Sequence, residues 1–195
     1  MAKPNVITKN DLLQSAKQCL VEGGIEKFTL RAVAEKSGVT QGTVYYHFRT
    51  KEQLILELVQ EICEDSWNRL SQTDEGVLKE AIESAKSRCS YDSFYHKLFI
   101  TLVSTGFTNE KIRHQLGEII GRENDTLTKQ LGKLWSVSPI KGVSVATWGI
   151  FFNALVDGIA LQAILKKDFP IEKTYAELEN FVTGLSSLQN KEESE

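Results

Sequence analysis

With 195 residues, 41% of them hydrophobic and 25% charged, the chain has the composition of a soluble globular protein with room for one or two compact domains. Its net charge of −3 speaks weakly against a polyanion partner, but the charge is uneven: residues 1–53 carry +3 and the remainder −6, as expected if only the first part meets a polyanion. Three prolines, thirteen glycines and long stretches of Leu, Glu, Lys, Gln and Ala make helix the default, and no basic-then-apolar leader is present, so a signal peptide is excluded and a cytoplasmic location expected.

Residues 1–7 lack periodicity and should form a mobile arm. Thr8 with Asp11 three residues on predicts a helix start, the stripe Leu12, Leu13, Ala16, Cys19 and Leu20 its buried face, and Gly23-Gly24 its end. Thr29 caps a second helix whose inward residues are Leu30, Val33 and Ala34. Ser37-Gly38 ends it, since Gly38 can take the positive φ of a tight turn. Thr40 caps a third helix to about Tyr46, with Val44 and Phe48 pointing inward, and the spacing is that of a helix-turn-helix. Thr50 to Gln53 reads as a capping box for a fourth helix with the stripe Leu54, Ile55, Leu58, Val59, Ile62, Ser66, Trp67 and Leu70.

The pattern breaks around Ser71 to Gly76, and helices are predicted over Val77–Arg88, Ser93–Ser104 and Glu110 to about Trp135. Gly142–Leu165 is the least polar stretch, long enough to span a membrane, but Asp157 at its middle would cost about 2.5 to 3.5 kcal/mol there. A helix buried on two sides, against its own core and a second subunit, is the better reading, with Gly149, Gly158 and Ala160 permitting close approach. A last helix follows Pro170, over Ile171–Leu188, and a charged tail from Gln189 closes the chain. Cys19, Cys63 and Cys89, odd in number and widely spaced, are expected to be free thiols. No metal site, cofactor or enzymatic motif is expected.

With Val44 and Phe48 inward, the third helix turns Thr40, Gln41, Gly42, Thr43, Tyr46 and His47 outward, with Tyr45 near the edge. Hydroxyls, a histidine and a helix N-terminus suit phosphate oxygens, Gln41 and Thr43 suit base edges, and Gly42 permits close approach of the backbone. The plain rival is that the rings merely cover a small core. Arg31, Arg49 and Lys51 on the flanks favour DNA.

From about Asp11 to Leu58 the chain resembles the N-terminal domain of the tetracycline-repressor (TetR) family. The resemblance rests on Thr29, Ala34, Gly38-Val39-Thr40, Val44-Tyr45-Tyr46-His47-Phe48 and Lys51-Glu52-Gln53-Leu54. It implies an all-α fold of about nine helices: a helix-turn-helix DNA-binding domain over 1–53 and a larger regulatory and dimerisation domain over 54–195. It implies that Thr29, Thr40 and Lys51 meet phosphates, that Tyr45, Tyr46 and His47 add phosphate and sugar contacts, and that Arg31, Gln41, Gly42 and Thr43 face bases. It further implies a homodimeric repressor on a palindromic duplex, joined through 142–165 and 171–188 and released by a small-molecule effector. Two half-sites are also expected physically, because one short helix makes few base contacts. Candidates for the effector site are Trp67, Tyr95, Phe99, Trp148, Phe152, Asn153 and Asp157, though each aromatic is equally a core residue; Asp157, if buried, needs a partner from an Arg, a Lys or a cationic ligand. The alternative function is an architectural or cell-division factor with the same DNA head and no small-molecule switch.

Overall fold

A computed structural model of the chain describes residues 7–72, 76–89 and 93–192. Among these it forms nine α-helices and no strand: α1 (Lys9–Lys27), α2 (Leu30–Ser37), α3 (Gln41–Phe48), α4 (Lys51–Gln72), α5 (Val77–Ser87), α6 (Phe94–Gly106), α7 (Glu110–Leu134), α8 (Val145–Leu165) and α9 (Ile171–Glu192). The expected arm (apart from Ile7), residues 73–75 of the expected break and the last three tail residues lie outside the described residues, and α4 runs on through Ser71 and Gln72.

Local chemistry sets the helix ends. Thr8 and Asp11 form a reciprocal capping box, each side chain bonding the other's backbone N–H. The stop expected at Gly23-Gly24 is a kink: Gly24 takes φ 67°, the helix resumes for one turn, and Phe28 is thereby carried into the core at 0% exposure. At the end of α2, Gly38 takes φ 66°, its N–H bonds the Glu35 carbonyl at 3.3 Å, and that of Val39 bonds Ala34 at 3.0 Å. The box expected at Thr50 is only half made. The Thr50 hydroxyl accepts from the Gln53 N–H at 3.1 Å, but the Thr50 N–H bonds the Phe48 carbonyl and the Gln53 amide turns to Glu57.

The chain divides into two compact units. One comprises the described parts of Met1–Ile62 with Lys97–Leu116; the other comprises those of Cys63–His96 with Gly117–Glu195. The first unit, the head, extends past residue 53 because Leu54, Ile55, Leu56, Leu58 and Val59 are all buried, and because Lys9 and Lys17 reach forward to Glu57 and Glu61 at 2.7 and 2.9 Å. Within it α1 packs on α2 and α2 on α3.

The second unit, the body, is organised around Trp135 and Tyr175, both 1% exposed, with Ile82, Leu131, Phe152 and Val182. Trp135, Trp148 and Phe152 form an aromatic cluster with centroids 5.8 to 6.2 Å apart. α8 starts at Ser144, whose hydroxyl accepts from the Thr147 N–H. Its length and mean hydropathy of 1.5 would suit a membrane span, and 28% of its most apolar stretch is buried in the chain. The burial is one-sided. Asn153 faces inward and donates to the Asn124 side chain at 2.9 Å, whereas Ile150, Phe151, Leu155 and Leu161 are exposed.

Gly149 serves a different contact from the one expected of it. It permits close approach to α7 of the same chain: an added Cβ would overlap Thr128 Oγ1 and lie 2.8 Å from the Asn124 carbonyl oxygen. Because that oxygen is backbone, Gly149→Ala must separate two helices, and a loss of about 1 to 3 kcal/mol is expected. Gly132→Ala on α7, where nothing lies within 4 Å, is expected to be neutral or to stabilise by up to about 1 kcal/mol. Urea unfolding of both variants checks the contrast.

Candidate nucleic-acid interface and body cavity

α3 is two turns of helix anchored by Val44 and Phe48, both 0% exposed. Thr40 caps it: its hydroxyl accepts from the Thr43 N–H at 3.3 Å and lies 3.1 Å from the Thr43 hydroxyl. Thr29 likewise caps α2, accepting from the Ala32 N–H at 3.0 Å. With that anchoring Gln41, Gly42, Tyr45 and Tyr46 are exposed, the last at 69%, and Thr43 and His47 are half-buried. Eight of the ten residues assigned to DNA thus lie on or beside one short helix, and Thr29 and Arg31 lie at the start of α2. An added Cβ at Gly42 would meet only Thr40 Oγ1, at an ordinary 3.6 Å, so the fold itself does not require glycine there.

The cations of the head are not equivalent. Lys9, Lys17, Arg31 and Lys36 are each paired with a glutamate, at 2.6 to 2.9 Å. Arg31, assigned to bases, is held by Glu35 one turn away. Arg49, by contrast, sits with its guanidinium 5.6 Å from the ring centroids of both Tyr45 and Tyr46, and Lys51 lies 5.9 Å from the Phe28 ring. Arg49 also holds φ 65° without being glycine, directly after α3. Among the described residues neither Arg49 nor Lys51 has a carboxylate partner, which leaves cationic charge at the C-terminal end of α3, beside the two tyrosines.

The residues assigned to an effector fall in four different places. Trp67, Phe152 and Asn153 line a cavity of about 90 Å³. Trp148 belongs to the aromatic cluster, with its indole N–H donated to Ser138 at 3.1 Å, and Phe99 falls in the head unit. Tyr95 and Asp157 take part in a buried polar network. Asp157 finds its partner in a histidine: His96, 2% exposed, places Nε2 3.3 Å from the carboxylate and Nδ1 3.2 Å from the Arg88 carbonyl. Tyr95 donates to Glu123 Oε1 at 3.2 Å, Cys63 lies 3.6 Å from the same oxygen, and Arg88 Nη1 faces it at 3.7 Å. Burial pushes the Glu123 carboxyl above the ordinary range, and the Arg88 guanidinium pulls it partly back. Burial pushes up the Tyr95 hydroxyl and the Cys63 thiol as well.

Arg88, Glu123 and Gln130 all line the cavity, and each has one buried atom without a hydrogen-bond partner: Nε, Oε2 and Oε1. These three residues were not singled out from the sequence. The signal existed: Glu123 and Gln130 occupy positions that the spacing of Leu116, Ile119, Leu127 and Leu131 assigns to the buried face of α7, where a polar residue needs a reason. Among the described residues no cluster of His, Cys, Asp and Glu could hold a metal ion, and the three cysteines are free thiols.

Residues 12–58 match the family model for bacterial regulatory proteins of the tetR family. The HTH-type transcriptional repressor KstR2 of Mycolicibacterium smegmatis is 30% identical over 64 residues, 33% of this chain and 31% of that protein. The repressor AcnR of Corynebacterium efficiens is 36% identical over 56 residues, 29% of this chain and 30% of that one. The chain thus spans about a third of the length of the curated relatives it matches. The structure of Salmonella enterica GusR aligns with a TM-score of 0.68 over 95% of this chain and 98% of that chain at 18% identity, a likeness of fold.

The buried pair offers a test of the network. Arg88→Met leaves the Glu123 carboxylate without its countercharge, and a loss of about 3 to 5 kcal/mol is expected near neutral pH. The Glu123 value in the folded variant lies further above the ordinary 4.5, so the folded state takes up a proton before the unfolded chain does. Stability is therefore recovered as pH falls through that raised value. Urea unfolding near pH 7 and near pH 5 should show a larger recovery for the variant than for the unsubstituted protein.

Proposed function

We propose that the chain, whose residues 12–58 match the tetR family of bacterial regulatory proteins, is a DNA-binding transcriptional regulator of that family, a homodimeric repressor released from a palindromic operator by a small molecule. The observation that carries the reading is the outer face of α3, where Gln41, Gly42, Thr43, Tyr45, Tyr46 and His47 are presented by a helix whose two apolar residues are sunk. In this proposal Gln41, Gly42 and Thr43 approach base edges, with Arg31 joining them once it leaves Glu35, while Tyr45, Tyr46, His47 and Lys51 bind the phosphate and sugar chain. Thr29 and Thr40 direct their helix N-termini at phosphates. Residues 1–53 do the reading and 54–195 the sensing and pairing, in the cytoplasm. The relatives are transcriptional regulators, and we propose no enzymatic role.

Dimerisation is assigned to 142–165 and 171–188. Supporting it, Ile150 and Phe151 on α8 are each 51% exposed and Phe181 on α9 is 49% exposed, a contiguous apolar display of the kind that marks an interaction surface. The Phe152–Phe181 ring contact, with centroids 6.4 Å apart, places the two helices side by side. The effector is assigned to the body cavity, which α4 reaches through Ser66 and Trp67. Because α4 begins at Lys51 beside α3, it is the proposed route from effector to DNA.

Gly42→Ala separates folding from function. The head should gain up to about 1 kcal/mol, since the Cβ has room and the helix gains an alanine. Operator affinity should fall about tenfold, the cost of one displaced contact. Fluorescence anisotropy on a duplex selected from a random pool gives the second value; unchanged affinity removes Gly42 from the interface. Sedimentation should show a dimer at micromolar concentration and a monomer for Phe151→Glu, and a monomeric parent protein would overturn the assignment of 142–165.

A further inference from the structure

We propose that the body cavity takes an uncharged, mostly apolar molecule no larger than a single ring with one hydroxyl-bearing carbon, its hydroxyl seated between Arg88 and Glu123. This rests on the reading of the body as the effector site and names the chemistry of that effector. Three observations set the class.

The first is size and lining. A dry cavity of about 150 Å³ accepts benzene, so about 90 Å³ walled by side chains such as Leu78, Ile82, Leu127 and Phe152 takes a smaller body, or one ring after a small shift of the walls.

The second is charge. Arg88 and Glu123 face each other at 3.7 Å, and the Asp157 carboxylate also acts on Arg88. A cationic ligand would meet the guanidinium and an anionic one the carboxylate, so neither finds a countercharge that is not already engaged.

The third is the set of buried atoms without partners. Glu123 and Gln130 are 8% and 5% exposed, and Glu123 Oε2 and Gln130 Oε1 are both acceptors, so an occupant must carry a donor; ethers and ketones fail. Arg88, whose Nη1 faces Glu123 Oε1, also has a buried Nε–H, a donor that calls for an acceptor. A hydroxyl is the smallest uncharged group that accepts from Arg88 Nε–H and donates to Glu123 Oε2 at once.

The test is calorimetric titration of the full-length protein with four probes on one frame: benzyl alcohol, toluene, benzoate and benzylammonium. Benzyl alcohol is expected to bind at least about tenfold more tightly than toluene, one good hydrogen-bonded group being worth that factor, and more tightly than either ion. The double variant Arg88→Met/Glu123→Met replaces the pair by apolar side chains of similar length and so keeps the fold; in it the preference for the alcohol over toluene should vanish. The proposal is overturned by tighter binding of benzoate or benzylammonium, by equal binding of toluene and the alcohol, by no saturable heat with the alcohol, or by a preference that survives in the double variant. Anisotropy on operator DNA separates this from the effector reading. An alcohol that binds through Arg88 and Glu123 but leaves DNA affinity unchanged supports the ligand class and removes the switch. A charged probe that binds and releases DNA does the opposite.

Discussion

An eight-residue helix cannot hold itself together in water, because the first turn is costly and only a few further residues repay it. α3 therefore exists only because Val44 and Phe48, four residues apart, are sunk completely into the head. That one constraint decides the rest of the surface. Once those two side chains point inward, helical geometry turns the remaining residues outward as a group. It also distinguishes the two glycines nearby: Gly38 is needed for a left-handed turn that aims α3, whereas Gly42 meets no crowding and has no role that the fold explains. Arg49, at φ 65° and ψ −48° without being glycine, adds strain of about 1 to 3 kcal/mol at the end of the same helix, and its guanidinium shares the space of both exposed tyrosines.

A second constraint acts in the body. Arg88, Glu123, Tyr95, Cys63, His96 and Asp157 form a polar network inside an otherwise apolar unit. Such a network costs desolvation at every member, and an apolar core of equal volume would commonly be as stable or more so. Its incomplete satisfaction is the informative part. The atoms left over belong to Arg88, Glu123 and Gln130, three residues that line the cavity, and the proposed occupant is what would complete the network.

What was legible in the sequence was local. Caps at Thr8, Thr29 and Thr40, the Gly38 turn and the inward pair of α3 each depend on residues within a few positions of one another, and each was found where the spacing put it. The outward face of α3 is legible for the same reason, since its residues lie in one short stretch. The body is built from distant pairs: His96 meets Asp157 across 61 positions and Cys89 meets Tyr175 across 86. No periodicity carries that information. Hence Trp148, as good a pocket aromatic as Phe152 by spacing, belongs to the core cluster, and Gly149 faces the chain's own α7. Charge suffered likewise, because a cut at residue 53 leaves out Glu57 and Glu61, which neutralise Lys9 and Lys17.

The helix that resisted a one-chain explanation is α8. Its polar side chains Asn153 and Asp157, one turn apart, both find partners within the body, so nothing polar on it requires solvent on that side. The opposite side carries Ile150, Phe151, Leu155, Leu161 and Leu165; four of these are already about half covered, so burying what remains is worth about 1 kcal/mol for each of those and more for Leu165. Lipid and protein are the two media that could cover it, and the neighbouring helix distinguishes them. Beside Phe181 and Leu188, α9 exposes Thr183, Gly184 and Ser187, and its first turns expose Glu172, Lys173 and Glu177. A hydrocarbon layer would have to take up Glu172, Lys173 and Glu177 as charges, at a cost even where they are paired with one another or with Lys86. A second protein surface needs only a bounded apolar stripe with a polar margin, and that is the shape of the exposed face. In the proposed dimer the same helix has one side against the cavity and the other against the partner, so a shift forced by the proposed occupant would be a shift presented to that partner.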